Sequence, residues 1–234
     1  MDWILRRESA GADPEQDIAA EMALLEEVLR APQRPILRLW RVQPCLVVTP
    51  LLAHRADFTT AAETSRARGW PVVVRRTGGG PVPQIAGTLN VSLALAMPRG
   101  EAPGIDPAFR GFADWLCAAL RGCGLAPETG EIAGSCCPGR YDISIPAEHG
   151  PRKIIGIAQR RRQGSKDGAL LAAILVHAMV WLDGDLPDGI DALETFLREA
   201  GASEAFARSR MGTLQEIAGV EPVAFEEALL AAPF

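Results

Sequence analysis

The chain has 234 residues, of which 48% are hydrophobic and 23% are charged, and its formal net charge is −5. This balance is typical of a folded globular protein and excludes a disordered chain, while the acidic charge argues against a general nucleic-acid binder. No apolar run reaches 18 residues and the first residues lack the order of a signal peptide, so we expect a cytoplasmic protein without membrane or nucleic-acid partners.

The cysteines indicate the same compartment. There are five of them, an odd number, at positions Cys45, Cys117, Cys123, Cys136 and Cys137. Two of them are adjacent in the sequence, and neighbouring cysteines rarely form a disulfide. No paired CxxC spacing indicates a zinc site. We therefore expect free thiols in a reducing environment, and no metal.

The first half of the chain alternates predicted helices and strands. Asp13 is a suitable N-cap and Pro14 occupies the first helical position, so the first helix is predicted over 13–30. The elements that follow are strands 36–42 and 45–48, helix 56–68, strands 71–76 and 89–95, and helix 107–121.

The second half begins with a predicted hairpin and ends in helices. Its predicted elements are strands 140–145, 153–161 and 169–182, then helices 190–200, 211–218 and 225–231. Strands flanked by helices in no regular βαβ order predict an α+β fold with a mixed, largely antiparallel sheet. We divide the chain into a main domain, 1–185, and a helical C-terminal appendage, 186–234.

Rare residue types cluster in two segments. Of the 24 basic residues only Lys153 and Lys166 are lysine, which indicates that Lys153 supplies a compact ammonium where a planar guanidinium would not serve. The single tyrosine, Tyr141, lies close to Lys153 in the sequence, and the single asparagine, Asn90, lies in a glycine-rich segment. This clustering favours a functional site.

The glycine-rich segment, 75–92, places three consecutive glycines after a β-branched strand. It lacks the GK[ST] ending of a P-loop and the GxGxxG of a dinucleotide fold. Glycines let backbone amides approach a ligand closely, and Arg75 and Arg76 alternate so that one faces the site and the other solvent. A plain turn is the alternative, but the paired arginines and the downstream motif favour a ligand cradle.

Cys137 is the candidate nucleophile. It precedes Pro138 and Gly139, and a thiol at such a turn is of the accessible kind. Lys153 lies one hairpin away, where it is expected either beside the thiol or against a substrate carbonyl as an oxyanion stabiliser. The alternative is that the Cys136–Cys137 pair has no function.

No histidine is placed by the sequence to act as a base. His54 and His149 are expected in solvent-facing loops. His177 lies in an apolar run, where a core histidine with satisfied hydrogen bonds is the expectation.

Four motifs resemble the lipoate-protein ligase and octanoyltransferase superfamily: Arg76–Gly80, Gly87–Ser92, Gly139–Ser144 and Arg152–Gln159. The match covers residues 35–182 and implies the α+β fold of biotin and lipoate ligase catalytic domains. Residues 134–142 look most like the cysteine-dependent amidotransferase branch. That branch moves octanoyl or lipoyl groups between carrier lysines through a thioester.

The resemblance also implies site residues. Cys137 takes the nucleophile's position and Lys153 contacts the acyl carbonyl, whereas Cys136 replaces a bulkier residue and is interpreted as packing. Gln84 stands where ATP-using ligases carry a histidine. The implied substrate-binding residues are Arg75, Arg76, Gly78, Gly79, Gly80, Gln84, Gly87, Leu89, Asn90, Ser92, Tyr141, Asp142, Gly156, Ile157 and Gln159.

The expected function is therefore an acyltransferase that requires no cofactor, with octanoyl or lipoyl groups as substrate. One alternative is an ATP-dependent lipoate or octanoate ligase, for which the chain has too few residues to carry the usual accessory domain. Another is a catalytically silent homologue that binds an acyl group or its carrier. Residues 140–166 hold seven cations against two anions. These charges would suit the docking of an acidic carrier such as a glycine cleavage H-like protein or a 2-oxoacid dehydrogenase lipoyl domain. The alternative is a solvated arginine face without a partner.

Overall fold

The structure, a computed structural model, describes residues 3–234. Within that range the strands are β1 (Ile4–Glu8), β2 (Ile36–Trp40), β3 (Cys45–Val48), β4 (Val72–Val74), β5 (Val82–Gln84), β6 (Thr88–Pro98), β7 (Glu128–Thr129), β8 (Ile143–Ile145), β9 (Arg152–Lys166) and β10 (Ala169–Trp181). The helices are α1 (Pro14–Arg30), α2 (Pro50–Ala53), α3 (Phe58–Ala67), α4 (Ile105–Gly122), α5 (Leu186–Glu199), α6 (Leu214–Ala218) and α7 (Pro222–Ala231).

Two sheets organise the molecule. The larger has the strand order β1-β2-β6-β10-β9-β8-β7, in which the β1–β2 pair is parallel and the other neighbours are antiparallel. The smaller has the order β4-β3-β5, with β4 parallel and β5 antiparallel to β3. The prediction of an α+β fold with a mixed, largely antiparallel sheet is confirmed.

Local sequence signals account for most of the elements. Asp13 caps α1, since its carboxylate accepts the Glu15 N–H at 2.9 Å. The predicted hairpin forms between β8 and β9, and the apolar run 169–182 forms the strand β10. The short elements β1, α2, β5 and β7 were not predicted, because two to five residues carry too little periodicity to stand out.

The helices cover both sheets. Helix α1 packs its apolar stripe on β6 and β10, α4 and α7 cover the opposite face of the large sheet, and α5 packs against the small sheet. Residues 186–234, separated above as an appendage, contribute buried side chains to two of the three core clusters. None of the helices in residues 3–234 has the length and apolar composition that spanning a bilayer requires.

Candidate active site

A cavity of about 310 Å³ lies between the two sheets, bounded by α1, the start of α4 and the loop before β8. Its walls combine apolar side chains with a few polar groups, as ligand pockets do. Many of the predicted site residues line it: Arg75, Gly78, Gly79, Gln84, Asn90, Cys137, Asp142, Lys153, Gly156, Ile157 and Gln159.

The thiol of Cys137 is held against the glycine segment. Its Sγ accepts the Gly80 N–H at 2.7 Å, and Arg75 Nη2 lies 3.9 Å away. A Cβ on Gly79 would lie 2.8 Å from the same sulfur, so the close approach requires glycine there. An N–H donor and a guanidinium both stabilise negative charge on sulfur, which suits a nucleophilic thiolate.

The backbone of Cys137 is held in an unusual conformation. Its φ is +47°, a left-handed value that non-glycine residues adopt rarely and at a cost. Such a conformation persists only where the surroundings over-determine it. Lys153 supplies that constraint, because its ammonium donates to the carbonyls of Cys136 and Cys137, each at 2.8 Å.

Lys153 is completely buried, and all three of its protons are used. The third goes to Asp142 Oδ2 at 2.8 Å. A buried ammonium is tolerated because every proton has an acceptor. The ammonium of Lys153 therefore holds the loop that carries the thiol in place. The cation next to the sulfur is Arg75, whose guanidinium lies 3.9 Å from it.

Asp142 completes this arrangement. Its Oδ2 also accepts the Gly139 N–H at 2.8 Å, and its own N–H donates to the Gly139 carbonyl, which closes the turn after Pro138. Burial raises the pKa of Asp142 to about 6, and the charge of Lys153 limits the rise.

Cys136 has the packing role expected of it. Its side chain is fully buried, and burial raises the pKa of its thiol to about 12. A neutral, inaccessible thiol is not a nucleophile. All five cysteines are free thiols.

Six predicted substrate-binding residues do not line the cavity. One of them, Gly80, donates its N–H to the Cys137 sulfur instead. Tyr141 stacks on Phe109, which does line it, with ring centroids 5.1 Å apart, and Ser92 donates to Glu21 at 2.6 Å behind the cavity wall. Arg76 is exposed, Leu89 lies in the core, and Gly87 packs against Asp183. These residues lie outside the cavity lining, and their contact with a substrate stays a prediction.

The amides of Gln84 and Asn90 bind each other in the cavity wall. Each donates to the other, at 3.0 and 3.1 Å. Both side chains are nearly fully buried, so this reciprocal pair satisfies groups that would otherwise be costly to bury.

The sequence analysis missed a polar pair in the cavity. Glu21 accepts from His177 Nδ1 at 3.1 Å and from Ser92, and His177 Nε2 is buried without a partner in the part of the chain that is described. The expectation of a satisfied core histidine is therefore wrong. The available signal was Glu21 itself, a carboxylate on the apolar stripe of α1.

Four of the seven cations of the basic segment 140–166 pair with carboxylates of the same chain. Arg140, Arg152 and Arg162 pair with carboxylates, Arg161 and Lys166 donate to backbone carbonyls, and Lys153 is buried as described. These ion pairs lower the net positive charge of the segment, and docking of an acidic carrier there stays a prediction. His54 and His149 are exposed, as expected.

Replacing Arg75 by glutamine is expected to slow alkylation of Cys137 by iodoacetamide about tenfold. The reason is that removing a cation next to the sulfur costs on the order of 1 kcal/mol of thiolate stabilisation. Arg76→Gln is the matched control, because Arg76 is exposed and does not line the cavity that holds the sulfur. Equal rates in the two variants would show that Arg75 does not activate the thiol.

Comparison with known proteins identifies relatives in sequence. The family described as lipoyl protein ligase A/B catalytic domain matches residues 13–232. An octanoyl-[GcvH]:protein N-octanoyltransferase of Geobacillus kaustophilus is 32% identical over 65% of the chain and 52% of its own length. One of Kyrpidia tusciae is 29% identical over 90% of the chain and 71% of its own length. The chain thus spans about half the length of the first of these.

A solved structure supports the fold. The lipoate protein ligase of an archaeal lipoylation system from Thermoplasma acidophilum, described together with its E2 lipoyl domain, superimposes with a TM-score of 0.65 at 21% identity. The alignment covers 97% of this chain and 82% of that one.

Proposed function

Because the chain belongs to the lipoyl protein ligase A/B catalytic-domain family, we propose that it transfers an octanoyl or lipoyl group to a carrier-protein lysine through a thioester on Cys137. The relatives named as octanoyl-[GcvH]:protein N-octanoyltransferases support the reaction class. The observation that carries the proposal is the thiol itself, held in the cavity by the Gly80 N–H at 2.7 Å with Arg75 at 3.9 Å.

The cavity suits an acyl chain bound beside that thiol. Apolar side chains from both sheets and from α1 line it, and they stabilise an aliphatic tail by excluding water. These side chains are Ile18, Val47, Val82, Ile157 and Met179.

The chemistry has two steps. The Cys137 thiolate attacks the acyl carbon of the donor and the donor's lysine nitrogen leaves; the acceptor lysine then attacks the thioester and the thiolate leaves. The N–H groups of Gly79 and Cys137 have no acceptor within residues 3–234, so they are available to the carbonyl oxygen. The buried charge of Lys153 strengthens this electrostatic stabilisation.

An acidic lipoyl carrier domain is the proposed partner, with no cofactor required. The exposed Arg76 and Arg140 lie close in sequence to the cavity-lining Gly78 and Gly139, and they are the side chains proposed to steer such a domain. Free thiols at all five cysteines support a cytoplasmic setting.

Intact-mass spectrometry after incubation with octanoylated carrier tests the proposal. A single octanoyl adduct is expected, and peptide mapping is expected to locate it on Cys137, in the absence of ATP. An unmodified protein that forms octanoyl-AMP from free octanoate and ATP would instead identify an ATP-dependent ligase.

A further inference from the structure

The cavity wall contains a carboxylate oxygen that the fold leaves unused. Oδ2 of Asp142 accepts from Lys153 and Gly139, whereas Oδ1 accepts no hydrogen bond within the described residues. Asp142 also lines the cavity that holds Cys137. A carboxylate oxygen without a partner on the cavity wall is available to a proton donor that enters the cavity.

Gly156 keeps the space in front of that oxygen open. A Cβ at this position would lie 3.5 Å from Lys153 Nζ and 3.9 Å from Asp142 Oδ1. The φ of Gly156 is not positive, so the backbone does not require glycine here. The absent side chain leaves room for a substrate group next to Asp142.

Transfer to a lysine needs such an acceptor, because the free ε-amine is protonated at neutral pH and cannot attack. Lys153 already donates all three protons, and a guanidinium such as that of Arg75 does not deprotonate. The other carboxylate in the cavity, Glu21, is occupied by Ser92 and His177. His177 is placed further along the cavity. On β10 it lies two residues, about 7 Å, from the residue that pairs with Gly156.

We propose that Asp142 is a further catalytic residue, which removes the proton from the ε-ammonium of the acceptor lysine; this rests on the proposed function. The neutral amine then forms a C–N bond with the thioester carbon. The C–S bond breaks with its electron pair going to the Cys137 sulfur, which takes the second proton from nitrogen. The proton on Asp142 passes to water, and the reverse sequence protonates the nitrogen that leaves a donor amide.

The electrostatic surroundings of Asp142 suit this role. Burial raises its pKa to about 6, opposed by Lys153 and by the Gly139 N–H and reinforced by the negative charge of Glu131. A group with a pKa near the working pH both accepts and returns a proton efficiently.

Comparing two nucleophiles on the same acyl-enzyme tests the proposal. The acyl-enzyme is prepared with the octanoyl thioester of a small thiol, whose departure needs no proton from the protein. It is then treated with an acidic lipoyl carrier domain or with hydroxylamine, which is neutral at pH 7. In Asp142→Asn, transfer to the carrier lysine is expected to fall by about 10²-fold more than release by hydroxylamine does.

The pH dependence of transfer to lysine and a second variant test the role of Asp142 independently. Wild-type transfer to lysine is expected to fall as the pH drops through about 6, because protonated Asp142 accepts no proton. Asp142→Asn should show no break near this pH, because its rate follows the steadily falling fraction of neutral lysine amine. Gly156→Ala keeps the charges of Asp142 and Lys153 but fills the space in front of Oδ1. It should also slow transfer to lysine more than release by hydroxylamine.

Three results separate the explanations. If both variants slow transfer to lysine and release by hydroxylamine equally, the role of Asp142 is purely structural and the proposal is overturned. An unchanged rate of lysine transfer in either variant would also overturn it. Failure of the wild-type protein to form any acyl-enzyme would instead refute the proposed function.

Discussion

Replacing Cys137 by serine is expected to lower octanoyl transfer by about 10³-fold or more and to remove the covalent adduct. The reason is that a hydroxyl in the same place does not ionise near neutral pH, so the Gly80 N–H and Arg75 have no thiolate to stabilise. Steady-state transfer to an acidic carrier and intact-mass spectrometry measure the two effects.

Cys136→Ala is the matched control for that substitution. Its side chain is fully buried and only its carbonyl contacts Lys153, so the variant keeps the hydrogen bonds that hold the thiol loop. We expect near wild-type transfer and a loss of about 1 kcal/mol in the free energy of unfolding. Transfer that survives Cys137→Ser, or that depends on Cys136 instead, would refute the thioester mechanism.

Replacing Lys153 by methionine is expected to weaken both stability and activity. Methionine occupies a similar volume but leaves the Cys136 and Cys137 carbonyls and the Asp142 carboxylate buried without their donor. Breaking a buried ion pair in this way costs about 3–5 kcal/mol of unfolding free energy. Release of the loop also lets Cys137 leave its strained conformation, so the thiol is no longer held against Gly80.

Urea unfolding and the alkylation rate of Cys137 measure these two effects separately. Lys166→Met is the control, since Lys166 is the other lysine of the chain and its ammonium is an exposed donor to the Arg30 carbonyl. That variant should change the unfolding free energy by less than about 0.5 kcal/mol. A Lys153→Met protein as stable and as active as Lys166→Met would contradict the role given to the buried ammonium.

Local signals predicted much of the fold. The N-cap at Asp13 and the 169–182 apolar run could be recognised in the sequence, because capping and strand burial depend on residues close together in the chain. The elements that escaped prediction were short, and β5 contains Pro83, which argues against a strand when only the sequence is considered.

The residues alone predicted that the glycine segment and the stretch carrying Cys137 and Lys153 belong to one site, because rare residue types cluster in these two segments. Which groups meet depends on the packing of the folded chain. The sulfur contacts a guanidinium 62 residues away in the sequence and an N–H 57 residues away, and Glu21 reaches Ser92 across 71 residues. Contacts of this range depend on how the two sheets and α1 pack together, and no local pattern encodes them. For the same reason the complete enclosure of Lys153 by three acceptors was not predictable from the sequence.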